Sequence, residues 1–135
     1  GDPECQTILP KLKTDFAEIL IACVDNNLNN INIDWHNDKS ICIVLCSKGY
    51  PESYKNNIEI NQLDKIIIKN NEFIFHAGTK KLNNKIFSNG GRVLNFVVRS
   101  KNFKDGREKA IKLIHDLKWD NGFFRKDIAY KVINE

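Results

Sequence analysis

Lys85-Ile86-Phe87-Ser88-Asn89-Gly90-Gly91-Arg92-Val93-Leu94-Asn95-Phe96-Val97-Val98-Arg99 is the stretch that decides the fold. Two runs rich in β-branched and aromatic residues flank Asn89-Gly90-Gly91, which predicts strands over Lys85 to Ser88 and Arg92 to Arg99, paired around the glycine link. Strict alternation puts Arg92 on one strand face with Leu94, Phe96 and Val98, so its guanidinium sits at the rim of an apolar surface. Working outward, Ile66 to Lys69 and Glu72 to Ala77 are two further β-rich runs, split by the hairpin signal Asn70-Asn71. Ser40 to Ser47 is apolar on both faces and reads as a covered central strand. Lys48-Gly49-Tyr50-Pro51 ends it in a turn, because glycine reaches positive φ and proline withdraws a donor.

Helical spacing appears on both sides of these strands. Leu12, Phe16, Ile19, Leu20 and Cys23 form one apolar stripe over Pro10 to Asn26, which dissolves into Asn26-Asn27-Leu28-Asn29-Asn30, a hinge or junction. Asn102 to Lys118 predicts a second helix, with Asn102 as cap, Asp105 at the third helical position, and Phe103, Ala110, Ile111, Ile114 and Leu117 on one side. Arg125 onward closes with a short helix carrying Ile128, Val132 and Ile133. The expected class is α+β, an antiparallel sheet with flanking amphipathic helices.

At 135 residues and 41% apolar content, the chain sustains one core. No apolar run reaches the 18 residues that a membrane helix needs. The net charge of +4 raises a small basic nucleic-acid-binding module as an alternative. Against it, the basic residues are scattered, and Phe73, Phe75, Phe96 and Trp119 fall in apolar patterns that predict burial. Lysines outnumber arginines 17 to 4 in an Asn- and Ile-rich chain, so coding bias explains the lysines. The arginines then stand out, because lysine cannot replace a planar bidentate group where an anion must be gripped. Cys5, Cys23, Cys42 and Cys46 form no CxxC pair, and Cys42 and Cys46 on one strand would lie roughly 13 Å apart. Reduced, buried thiols in a cytosolic protein are expected, with no zinc site.

Three clusters carry candidate chemistry. Asp2 and Glu4 flank Pro3 and would project to the same side of an extended segment, where paired carboxylates bind a metal or an ammonium; equally, such acids favour the start of the following helix. Gly90 and Gly91 let backbone N–H groups turn toward one point, and Arg92 adds two parallel charged hydrogen bonds to a phosphate; equally, this is a glycine-rich hairpin with an exposed arginine. Arg125-Lys126-Asp127 is a surface cluster or a helix cap. His76 reads as a packed histidine with a satisfied ring nitrogen, and His36 and His115 as surface residues. No nucleophile–base–acid set points to a hydrolase.

Gly1-Asp2-Pro3-Glu4-Cys5-Gln6, Ser47-Lys48-Gly49-Tyr50-Pro51, His76-Ala77-Gly78-Thr79, Asn89-Gly90-Gly91-Arg92-Val93-Leu94, Trp119-Asp120 and Phe124-Arg125-Lys126-Asp127-Ile128 together resemble, in order and spacing, the C-terminal third of the phosphoribosylamine–glycine ligase (glycinamide ribonucleotide synthetase) family. These are ATP-grasp enzymes of purine synthesis. The resemblance implies that residues 1–35 finish the ATP-grasp domain and residues 36–135 form the C-terminal domain. It implies that the full-length, cytoplasmic, monomeric enzyme uses glycine, 5-phosphoribosylamine and ATP with Mg²⁺ or Mn²⁺, with no nucleic-acid or membrane partner. The metal ligands and most of the ATP site are expected before Gly1, so the fragment alone is expected to be inactive, at most a non-catalytic interaction domain resting on the remainder of its own polypeptide. Asp2 and Glu4 would stand at the margin of the reaction centre and not as metal ligands. Gly90, Gly91 and Arg92 would face the phosphoribosylamine, and the Arg125–Asp127 pair would fasten the terminus.

Overall fold

The computed structural model describes residues 1–134. Its elements run α1 (Glu4–Ile8), α2 (Phe16–Val24), β1 (Lys39–Ser47), β2 (Glu72–His76), β3 (Thr79–Leu82), β4 (Lys85–Ser88), β5 (Arg92–Ser100), α3 (Phe103–Leu117), β6 (Gly122–Phe123) and α4 (Tyr130–Asn134). A four-stranded antiparallel sheet has the order β2-β5-β1-β6, and β3 and β4 form a separate two-stranded sheet. This is the expected α+β class.

Alternation along β1 and β5 builds the core. Ile41, Ile43 and Leu45 join Leu94, Phe96 and Val98 on one sheet face, and α3 lays Ala110, Leu113, Ile114 and Leu117 against them. Each large side chain so buried stabilises the fold by about 1.5–3 kcal/mol. The α3 cap is as expected: the Asn102 side chain accepts from the Asp105 N–H at 2.8 Å. Lys118 ends the helix in the left-handed region.

The opposite face carries Cys42, Val44 and Cys46 with Asn95, Val97, Phe73 and Phe75. It is covered only in part, because α1 is short. Cys42 and Val44 stay half-buried, so β1 is central but not sealed on both sides as its composition predicts.

Three local expectations are corrected. β4 pairs with β3, not β5, because Asn83 and Asn84 both adopt positive φ (49° and 62°), as a tight two-residue hairpin demands. The Asn89-Gly90-Gly91 link then carries the chain between the two sheets. Ile66 to Lys69 forms no strand: the Lys69 N–H is turned back onto the Glu72 carboxylate at 2.9 Å, and Ile67 is 83% exposed. The helix expected from Pro10 begins only at Phe16, where the Asp15 side chain caps Ala17 at 2.7 Å. The residues before it bond across to Asp34 and His36. This helix, α2, packs chiefly on the Leu28–Asn30 turn rather than on the sheet, leaving Phe16, Leu20, Ile21 and Val24 47%, 50%, 60% and 81% exposed.

Candidate functional site

A bulge sets the geometry of the site. Along β1 and β5, Leu45 faces Leu94, but the next partner of Cys46 is Arg92, with Val93 as the extra residue. Regular alternation would put Arg92 beside Leu94 on the α3 face, as expected from the sequence. The bulge turns it to the Cys46 and Asn95 side instead, and there it meets the start of the chain.

Asp2 is the meeting point. Its carboxylate lies 3.2 Å from Arg92 Nε, and its backbone carbonyl accepts from Arg92 Nη1 at 2.9 Å. The same carboxylate accepts from Gln6 Nε2 at 2.9 Å and from Asn95 Nδ2 at 3.3 Å. Asn95 is fully buried in the middle of β5, opposite Val44 and Phe75. A buried amide needs partners, and Asp2 supplies one. The ion pair itself is partly open, with 43% of the Arg92 side chain and 31% of the Asp2 side chain exposed. Arg92 Nη2 has no hydrogen-bond partner among the described residues.

The other candidate residues divide. Glu4 does not join Asp2 on one side: α1 begins at Glu4, which leaves its carboxylate exposed in the first helical turn, where the N-terminal dipole favours it. Gly90 and Gly91 lie beside Arg92 but do not adopt positive φ. Their carbonyls accept from the Ser47 side chain at 2.8 Å and the Ser47 N–H at 2.7 Å respectively. A Cβ on Gly91 would fall 2.1 Å from Tyr50 Cδ2, and one on Gly78 would fall 2.9 Å from Gly90 Cα. Both glycines therefore admit protein groups at close range. Of this motif, Arg92 is the part that faces outward.

Residues 40–131 match the family described as phosphoribosylglycinamide synthetase, C domain. The chain belongs to that family. The phosphoribosylamine–glycine ligase of Caldanaerobacter subterraneus subsp. tengcongensis is 41% identical over 129 residues, which is 96% of this chain and 30% of that protein. The bifunctional purine biosynthetic protein of Dictyostelium discoideum is 39% identical over 135 residues, 99% of this chain and 17% of its own length. The crystal structure of the phosphoribosylamine–glycine ligase of Thermotoga maritima aligns with a TM-score of 0.66 at 26% identity, over 96% of this chain and 31% of that one. The chain thus spans under a third of the length of these relatives.

Within this C-domain family member, an apolar cavity of about 340 Å³ adjoins the Asp2–Arg92 pair, lined among others by Pro3, Cys42, Val44, Cys46, Tyr50 and Ile128. Burial pushes the Cys42 thiol up to about 12; a Thr7 hydrogen bond opposes this and the Asp2 charge adds to it. Burial also raises Cys46, against the lowering effect of Arg92. All four cysteines are free, but Cys5 and Cys23 are exposed, contrary to the expectation of burial. The described residues offer no group of three or more His, Cys, Asp or Glu suited to a metal. Asp2 is already held by a guanidinium and two amides, so its carboxylate is a poor fit for Mg²⁺ as the chain stands. No helix among the described residues is long and apolar enough to cross a membrane.

His76 has its ring nitrogen satisfied by Thr79 Oγ1 at 2.8 Å, but it is exposed, not packed. Phe96 and Trp119 are buried, and Phe73 and Phe75 stack on each other half-buried, so these rings form no exposed stacking surface for bases. Arg125 and Asp127 do pair through two hydrogen bonds, at 3.0 and 2.5 Å, though on the surface rather than internally. That contact raises Arg125 and holds the Asp127 carboxyl below its ordinary value.

Sequence reasoning missed three residues. Arg107 fastens the terminus by donating to the carbonyls of Ile128, at 2.9 Å, and Lys126. Arg99 donates to the Pro10 carbonyl and the Asn71 side chain and lies 3.4 Å from Asp38. The third is Asn95. Its signal was present: one amide inside Val93-Leu94-Asn95-Phe96-Val97-Val98 implies a buried partner.

Proposed function

We propose that this chain is the C-terminal part of an ATP-dependent ligase that joins 5-phosphoribosylamine to glycine, giving glycinamide ribonucleotide for purine synthesis. In this reading residues 1–35 complete the ATP-grasp domain and residues 36–135 are the C-terminal domain. ATP converts the glycine carboxylate to an acyl phosphate, the sugar amine attacks its carbonyl, and phosphate leaves. Nucleotide and Mg²⁺ or Mn²⁺ are held mostly by parts of the polypeptide outside these residues. The full-length enzyme works as a cytoplasmic monomer, without nucleic-acid or membrane partners, and the fragment alone is inactive.

The contribution of these 135 residues is to bind and orient. Arg92 presents a charged, half-exposed guanidinium beside the Gly1–Gln6 motif, suited to the 5-phosphate of the sugar. Holding that phosphate fixes the distal end of the substrate and lets binding energy orient the amine. Gly90 and Gly91 complete the same wall, the absent Gly91 side chain leaving room for the Tyr50 ring. The observation that supports this reading is the meeting of two distant family motifs in one partly exposed ion pair, Asp2 with Arg92.

Kinetics of Arg92→Lys and Arg92→Ala in the full-length enzyme test it. Losing a hydrogen bond to a charged group costs about 1.5–3 kcal/mol, or about 10- to 100-fold in affinity. The loss should fall on KM for phosphoribosylamine, with kcat and the KM for ATP little changed. A folded Arg92→Ala enzyme with an unchanged KM for phosphoribosylamine removes Arg92 from the site.

A further inference from the structure

Asp2 sits in an arrangement that a free carboxylate at a reaction centre would not need. One oxygen accepts from two neutral amides, Gln6 Nε2 and Asn95 Nδ2, while the other faces Arg92 Nε at 3.2 Å and the Asp2 carbonyl receives Nη1 at 2.9 Å. The amides come from different elements, Gln6 from α1 and Asn95 from the buried centre of β5. Two anchors from unlike directions hold that oxygen in place.

The consequence falls on Arg92. A long side chain at a half-exposed strand end populates many rotamers, and ordering it for a ligand is entropically costly. Here Nη1 donates to the Asp2 carbonyl and Nε lies 3.2 Å from the Asp2 carboxylate, so one residue holds the group by a hydrogen bond and an ion pair. A guanidinium held at two of its three nitrogens presents its remaining hydrogens in a restricted direction, as planar recognition of a phosphate requires.

We propose that Asp2 is a positioning residue: anchored by Gln6 and Asn95, it holds Arg92 at Nη1 and Nε so that the exposed part of the guanidinium is preorganised for the phosphate of the substrate. This rests on the reading of Arg92 as the phosphate-gripping group, and it assigns Asp2 no contact with the reacting atoms. It also couples the two motifs, because α1 must be seated on the sheet before the guanidinium is aimed.

The test is a double-mutant cycle in the full-length ligase, with Asp2→Asn, Arg92→Ala and the double variant, varying phosphoribosylamine at saturating glycine and ATP. Asp2→Asn should raise KM for phosphoribosylamine about three- to tenfold, the range of one hydrogen bond of modest strength, with kcat within about twofold. Arg92→Ala should raise it further, and adding Asp2→Asn to Arg92→Ala should change nothing more, since there is then nothing to aim. Equal effects of Asp2→Asn in both backgrounds would show that Asp2 acts apart from Arg92 and overturn the proposal. An unchanged KM in Asp2→Asn, with a raised one in Arg92→Ala, overturns the proposal and leaves the phosphate reading standing. An unchanged KM in Arg92→Ala removes both. Should Asp2→Asn fail to fold, Asn95→Ser loosens the same carboxylate from the sheet side. It should raise KM in the wild-type background only, and an effect that persists with Arg92→Ala counts against the proposal.

Discussion

Gly91→Ala separates two uses of the glycine pair. If the second glycine exists to let a ligand approach, a methyl group there should harm substrate binding and leave stability alone. The structure points to the opposite outcome. The new Cβ would lie 2.1 Å from Tyr50 Cδ2 and 2.4 Å from Cε2, against the 3.5–4.0 Å at which carbons normally rest. The ring must therefore retreat by more than an ångström. Its freedom to do so is limited, since the Tyr50 N–H is bonded to Ser47 at 3.0 Å and the ring packs against Tyr54 at 6.0 Å. Overpacking of this kind costs about 1–3 kcal/mol. With a urea slope of about 2 kcal/mol/M, a 2 kcal/mol loss lowers the unfolding midpoint by about 1 M. Urea unfolding of the 135-residue chain, followed by the fluorescence of buried Trp119, reads this directly. Removing the obstacle should remove the penalty: in a Tyr50→Ala background, Gly91→Ala should cost little. An equal cost in both backgrounds, or none in the wild type, refutes the packing argument.

The thiols give a pH-dependent test. At pH 8 a thiol with its pKa near 12 is ionised in about one molecule in 10⁴, so a disulfide reagent should label exposed Cys5 and Cys23 in the folded chain and spare Cys42 and Cys46. Labelling of Cys42 should speed up as pH rises, and all four should react in urea; labelling of Cys42 as fast as Cys5 at pH 8 would contradict the burial described. The bare α2 face predicts self-association of the isolated chain, which Leu20→Lys with Val24→Lys should abolish without lowering its melting temperature. Light scattering that shows a monomer for the unmodified chain would count against it.

Much of the core was legible from period. Leu94, Phe96 and Val98 alternate, Ala110, Ile114 and Leu117 recur at helical spacing, and Asn102 carries a cap that chemistry requires; β1, apolar on both faces, gave no sign that Ile41, Ile43 and Leu45 would be its core side. Pairing was less legible. Asn89-Gly90-Gly91 reads as the turn pairing β4 with β5, while Asn83-Asn84, which makes the actual hairpin, was not singled out; what marks it is positive φ at both asparagines, a property of the folded backbone that the composition of an Asn-rich chain does not reveal. The Pro10 helix failed for a similar reason. An apolar stripe ran through Leu12 and Phe16, but Asp15 made a better cap than Pro10 made a start, and the residues ahead of it found strand-like partners at Asp34 and His36.

The site was legible as a set of residues and illegible as a geometry. Asp2 and Arg92 were both singled out, for separate reasons, and their direct contact was not foreseen. One inserted residue, Val93, joins them: without the bulge, Arg92 would follow Leu94, Phe96 and Val98 onto the face that α3 covers. A charged guanidinium has no partner among those side chains, and burying it unpaired would be far costlier than breaking one rung of the ladder. On the other face it gains Asp2, while Val93 stays fully buried in the core. The bulge thus serves packing and electrostatics at once, which is the physical reason for an irregularity at this point in an otherwise regular strand pair. The four arginines of a lysine-rich chain fit the same logic. Arg92, Arg99 and Arg107 each tie down backbone carbonyls from distant segments, and Arg125 grips a carboxylate by two hydrogens. A lysine ammonium can satisfy any one of these acceptors but lacks the planar fork that holds two in fixed relation. Of the three that reach distant segments, only Arg92 keeps a large exposed edge and lies beside a second family motif, and that combination singles it out as the group able to bind a ligand.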